Sequence, residues 1–112
     1  MYRPTYKEYL PVVVYVCGLS VDKEEEEVAE MLERQIMERR FFMGDPRSFR
    51  RAIEGVIMRR GLHSATAEVT VRTLYVDMAA REVAENLISA VDGEMYEGVT
   101  LSAWLATIPG LQ

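Results

Sequence analysis

The chain has one cysteine, one histidine and one tryptophan among its 112 residues. With Cys17 alone there is no internal disulfide, which fits a reducing compartment. His63 stands in a predicted turn with no cysteine or second histidine close by, so the spacing of a metal site is missing. A Gly-rich phosphate loop and a nucleophile elbow are also missing, and the glutamates at 24–27 are consecutive, pointing around a helix instead of converging as a catalytic pair. The expectation is a protein that is not an enzyme, with no catalytic residues, no cofactor and no metal. No apolar run approaches the roughly 18 residues of a membrane span, and Met1-Tyr2-Arg3-Pro4 does not open a signal peptide. The expected setting is intracellular, nucleus or cytoplasm, away from membranes. Positive charge is in short supply: 13 Lys and Arg face 18 Asp and Glu, a formal net charge of -5. That balance argues against tight non-specific nucleic-acid binding, which comes mainly from cations neutralising phosphates.

What is present is ordinary globular composition, 49% hydrophobic and 28% charged. Such a chain can bury a core of its own without staples, and one domain over 1–112 is expected, with an arm at 1–10 and a tail at 107–112. Repeats, low-complexity stretches and linkers do not interrupt it. Charge is unevenly placed. Acid is dense over 22–38, whereas Arg39, Arg40, Arg47, Arg50, Arg51, Arg59 and Arg60 form a basic middle.

The pattern Val14-Tyr15-Val16-Cys17-Gly18-Leu19 predicts a strand over 11–17 that buries Val14 and Val16 and aims Tyr15 out of the opposite face, followed by a Gly-Leu turn. Ser20 or Asp22 is expected to cap a helix running to about Arg40, with Val28, Met31, Leu32, Gln35 and Ile36 at helical spacing and Glu24 to Glu27 at its positive end. Phe41-Phe42-Met43-Gly44 is expected to close that element and fold back onto the core. Residues 46–60 support two readings. Asp45-Pro46 starts a helix well and Phe49, Ile53, Val56 and Ile57 share a helical face; alternatively 53–60 is a strand turning through 61–64 into the next one. Alternation of Ala67, Val69 and Val71 with Thr66, Glu68 and Thr70 predicts a half-buried strand over 65–76. Asp77 is expected to cap a helix over 78–91, stopped by Asp92-Gly93. A short excursion at 94–98 then leads to a final strand over 99–106, and Pro109-Gly110 stops regular structure.

In this order the elements resemble the RNA recognition motif family. Residues 14–19 look like the family's hexamer of aliphatic, aromatic, aliphatic, any, Asn or Gly, Leu. Ala84 to Val91, Asp92-Gly93, Gly98, Leu101, Ala103 and Ala106 look like its second helix, stop and last strand. The resemblance implies an α+β sandwich of ferredoxin-like βαββαβ type. It has a four-stranded antiparallel sheet, two main helices on one face, and an extended first helix or an extra helix before the second strand. The octamer departs from the family pattern of basic, Gly, aromatic, Gly or Ala, aromatic, Val, any, aromatic: here it is Ser64-Ala65-Thr66-Ala67-Glu68-Val69-Thr70-Val71, with Thr66 and Glu68 where exposed rings are expected.

Two function classes follow from the resemblance. In the first, the chain is a non-catalytic module of RNA metabolism that binds single-stranded RNA weakly or serves as a ribonucleoprotein subunit. Its face would comprise Tyr15 and Cys17, then Thr66 and Glu68, then Ser102 and Trp104, flanked by Arg59, Arg60 and Arg72 holding phosphates. Tyr15 and Trp104 form a two-ring platform, unless Trp104 is covered by the tail at 108–112 or by Phe41-Phe42. In the second, the chain docks a protein partner through its acidic first helix, with Glu24, Glu25 and Glu27 on one side and Glu94 and Tyr96 after the second helix. Some family members use an Arg-any-Phe element at that place. Glu94 stands where the Arg would be and removes its internal ion pair.

Overall fold

A computed structural model describes residues 10–39, 49–73 and 79–106. The expectations about the arm at 1–9, Phe41 to Gly44, Asp45-Pro46, Asp77, Met78 and the tail at 107–112 lie outside the described residues. Among the described residues nine elements run in the order β1 (Val12–Leu19), α1 (Glu25–Arg39), α2 (Phe49–Ala52), β2 (Ile53–Arg60), β3 (Ala65–Val71), α3 (Ala80–Val91), β4 (Met95–Tyr96), β5 (Val99–Thr100) and β6 (Ser102–Leu105). The main sheet is antiparallel with order β2-β3-β1-β6, and β4 and β5 form a separate two-stranded ribbon. This is an α+β architecture compatible with a ferredoxin-like arrangement.

Strand periodicity divides the sheet into two unlike faces. Val14 and Val16 of β1, Ala65, Ala67, Val69 and Val71 of β3, and Ala103 of β6 are buried, and they meet Val28, Leu32 and Ile36 of α1 and Val83, Leu87 and Val91 of α3. The core so formed contains no buried polar or charged residue among those described. Alternate residues of the same strands, Tyr15, Cys17, Thr66, Glu68 and Thr70, point to the other face and are half-buried.

The described part of the ambiguous segment, 49–60, resolves into both candidates in turn. A single helical turn, Phe49–Ala52, gives way at Ile53 to a full strand. The register slips between Ile53 and Gly55, placing a bulge at the strand's start. Beyond it Val56 and Met58 face the core and Ile57 and Arg59 face outward, so the shared helical face of Ile53, Val56 and Ile57 does not form.

Four other expectations are corrected. The first helix begins at Glu25, with Glu24 as its cap: the Glu24 carbonyl accepts from Val28 N–H at 3.1 Å and the Glu27 carboxylate accepts from Glu24 N–H at 3.2 Å. Ser20 instead donates to Asp22 within the preceding turn. β3 ends at Val71, where Arg72 N–H turns to the Ala52 carbonyl at 2.8 Å. α3 starts at Ala80 with Ala79 as a cap that makes no side-chain hydrogen bond. The last strand is broken at Leu101, which pairs with the end of α3: its N–H donates to the Glu94 carbonyl and its carbonyl accepts from Gly93 N–H, both at 2.8 Å. The excursion at 94–98 is therefore half of a hairpin. Its turn residues Glu97 and Gly98 both have positive φ, 51° and 82°, the combination that matches strand twist in a two-residue loop.

Gly18 is the residue that makes the end of β1 possible. The register slips between Cys17 and Leu19, leaving Gly18 as the extra residue of a bulge, with φ 96°. A Cβ there would meet the Thr100 carbonyl oxygen at 3.2 Å. Only a glycine combines that dihedral with that approach at little cost.

Candidate nucleic-acid interface

Register places the outward-facing residues in rows. Tyr15 lies opposite Trp104 on one side and opposite Glu68 on the other, and Glu68 lies opposite Ile57, so one row across the four strands reads Trp104, Tyr15, Glu68, Ile57. The adjacent row reads Ser102, Cys17, Thr66, Arg59. Of the nine residues expected on this face, seven are brought together.

The aromatic end is a pair. Tyr15 and Trp104 have ring centroids 5.9 Å apart and planes tilted by 45°. Trp104 is 46% exposed and Ile57 52%, so apolar surface is open at both ends of the row. Tilted rings at this distance stabilise one another through quadrupole contact and still leave a ring face free.

At the charged end Glu68 is held by Arg59, whose Nε donates to Oε1 at 3.2 Å and whose Nη2 donates to Oε2 at 3.5 Å. The carboxylate is 22% exposed and the guanidinium 66%. The negative charge of Glu68 is thus balanced within the face itself. Between the two ends Cys17 Sγ and Thr66 Oγ1 are 3.1 Å apart and share one hydrogen bond.

Arg60 and Arg72 are elsewhere. One residue after Arg59, Arg60 points to the helix side, where Nε donates to the Val21 carbonyl at 2.9 Å and Nη2 to the Lys23 carbonyl at 2.7 Å. It braces the turn that leads into α1. Arg72 Nε donates to the Arg51 carbonyl at 3.0 Å, fastening the end of β3 to α2. Both are positioned by backbone acceptors away from the ring pair, a consequence of period-two alternation and of β3 ending early.

The residues singled out for partner docking fall into two groups bridged by one lysine. Glu24, Glu25 and Glu27 are exposed at the start of α1, while Glu94 and Tyr96 belong to the segment that follows α3. Lys23 pairs with Glu27 at 3.5 Å and with Glu97, and its Nζ lies 5.4 Å from the centre of the Tyr96 ring. The Glu97 hydrogen bond holds the Lys23 ammonium well above its ordinary value of 10.5. Lys23, Glu97 and Ile57 are residues the sequence reading left out. Ile57 was available from the strand reading of 53–60, which puts it out of phase with Val56 and Met58; nothing local signals the Lys23 and Glu97 pair, 74 residues apart.

Two hollows flank this architecture. One of about 200 Å³ lies between the start of α1 and β2, with Glu25, Glu26 and Glu54 on its walls. The other, of about 410 Å³, lies at the end of the sheet between Ser20, His63 and Glu97. No described helix is long and apolar enough to cross a membrane. Comparison with protein-family models and with curated proteins finds no match for this chain.

Proposed function

We propose that the chain is a non-catalytic module of RNA metabolism, of the RNA recognition motif kind, that binds single-stranded RNA weakly through the open face of its sheet. The observation that carries the reading is the Tyr15 and Trp104 pair, adjacent on neighbouring strands, with Trp104 46% exposed on a face with no helix above it among the described residues. Bases stack on such rings whatever their sequence, at about 1–3 kcal/mol each. The central position of β1, the pairing of β1 with β6, and the βαββαβ order of the main sheet are compatible with the arrangement implied by the resemblance. A face with two rings, and with Arg59 engaged by Glu68, supports one or two bases, fewer than a full set of exposed aromatics would hold.

The test is a titration of labelled single-stranded RNA over a salt series, with Tyr15→Ala and Trp104→Ala in parallel. Micromolar binding, weakened in both variants, is expected, with a shallow salt slope of about 0.7 per phosphate contacted. No binding at low salt refutes the reading.

A second reading has its own observation. Glu25 and Glu26 wall the hollow beside β2, where they offer an acidic rim to a basic segment of a protein partner within a ribonucleoprotein. Capture of a partner by the wild type, lost when Glu24 to Glu27 are changed to lysine, with RNA binding absent, supports this reading over the first.

A further inference from the structure

The acid in the middle of the open face is placed to read a base. Glu68 sits directly opposite Tyr15 in the β1–β3 register, on the side away from Trp104. Directly opposed residues of an antiparallel pair have Cβ atoms about 4.5–5.5 Å apart. A base stacked on Tyr15 therefore presents one edge to the Glu68 carboxylate. A carboxylate accepts hydrogen bonds and donates none, and its two oxygens have about four lone-pair sites. Arg59 occupies one site on each oxygen, so each retains capacity for another donor. The same guanidinium balances the negative charge and fixes the plane of the carboxylate.

Bases differ in what they offer to such a group. Guanine has two adjacent donors, N1–H and the N2 amino group, spaced to meet two carboxylate oxygens side by side. Adenine and cytosine each offer an amino donor beside a ring-nitrogen acceptor, and uracil offers N3–H between two carbonyl oxygens; the adjacent acceptors are repelled by the carboxylate. We propose that the open face selects guanine, which stacks on Tyr15 and Trp104 and donates N1–H and N2–H to Glu68 while Arg59 holds the carboxylate in place. This inference rests on the proposed RNA-binding reading and gives it a preferred base.

The experiment uses fluorescence anisotropy of end-labelled strands and the full chain. A uridine heptamer is titrated against the same heptamer with one central guanosine, inosine or adenosine. A two-donor contact predicts about tenfold tighter binding of the guanosine strand than of the adenosine strand, with the inosine strand, which lacks the N2 amino group, in between. Glu68→Gln replaces one acceptor by a donor and removes a charge; the expected result is loss of the guanosine preference, the guanosine and adenosine strands then binding alike. Guanosine monophosphate is added as a competitor to the bound guanosine strand: displacement where adenosine monophosphate gives none assigns the preference to the base itself, and selection by the strand alone assigns it to guanine held within RNA. Equal affinity for all four strands, abolished by Trp104→Ala, overturns guanine selection and leaves the stacking platform standing. Equal tightening of every strand by Glu68→Gln also overturns it, because the carboxylate is then only a repulsive charge. No binding of any strand overturns the platform and the selection together.

Discussion

The two faces of one sheet are built from the same strands by opposite rules. Toward the helices the side chains are Val14, Val16, Ala67, Val69 and Ala103, with no polar group; toward the outside they are Tyr15, Cys17, Thr66, Glu68 and Trp104, nearly all with a polar atom or a ring. The inner face owes its stability to area removed from water, roughly 25 cal/mol per Å². The outer face contributes little to folding, since an exposed ion pair such as Arg59 and Glu68 is worth about 0–1 kcal/mol. What distinguishes the outer face is exposed, chemically varied surface that folding alone does not require.

Substitutions on the inner face are expected to cost the most stability. Leu32→Ala empties a fully buried position of α1 and is expected to cost about 2–5 kcal/mol, read as a lower denaturation midpoint; RNA affinity per folded molecule should stay at the wild-type value. Gly18→Ala comes next, at about 1–3 kcal/mol, because a left-handed dihedral must be held against the Thr100 carbonyl. The outer face is sharpened by a double-mutant cycle on Tyr15→Ala and Trp104→Ala. Denaturant unfolding of the four proteins should return a coupling of about 0.5–1.5 kcal/mol, and on the proposed function each single change is expected to take away much of the RNA affinity. A coupling of zero would mean that the two rings do not act as a pair.

The smallest effect is expected from Lys23→Met, which releases the β4–β5 hairpin from the start of α1. Because the ammonium is held above its ordinary 10.5, the stability it contributes is fully present below pH 10.5 and is lost as pH rises through the higher folded value. The stability difference between wild type and variant should therefore be flat through neutral pH and shrink only in strong alkali, as followed by circular dichroism.

How far these features were legible in the sequence depended on the range of the interactions that make them. Alternation in 65–71 and in 12–17 named the inner and outer sets correctly, because each strand carries its period in its own residues. The boundary between α2 and β2 was not legible: Phe49 and Ile53 fit a helical face as well as a helix end, and the bulge at Glu54 shifts the phase within the segment. The hairpin after α3 was missed because Glu97 stands where turns of its type favour Asn or Asp. Arg59 and Arg60 are adjacent in sequence, but neighbours in a strand point to opposite sides, so Arg59 meets Glu68 and Arg60 meets the turn before α1. The Tyr15 and Trp104 adjacency came only through the sheet order implied by the family resemblance, since no local pattern pairs residues from the two ends of a chain.

One side chain at the sheet's margin has a consequence for the molecule in a crowd. Ala103 N–H, on the side of β6 that faces away from β1, donates to the Asp92 carboxylate at 3.0 Å. An open strand edge invites the next chain to add a strand, and repetition of that step is how sheets grow into fibrils. Asp92 fills the position with an acceptor that cannot continue the ladder and brings a negative charge to it. The residue that ends α3 thus also blocks strand addition at this position of the edge.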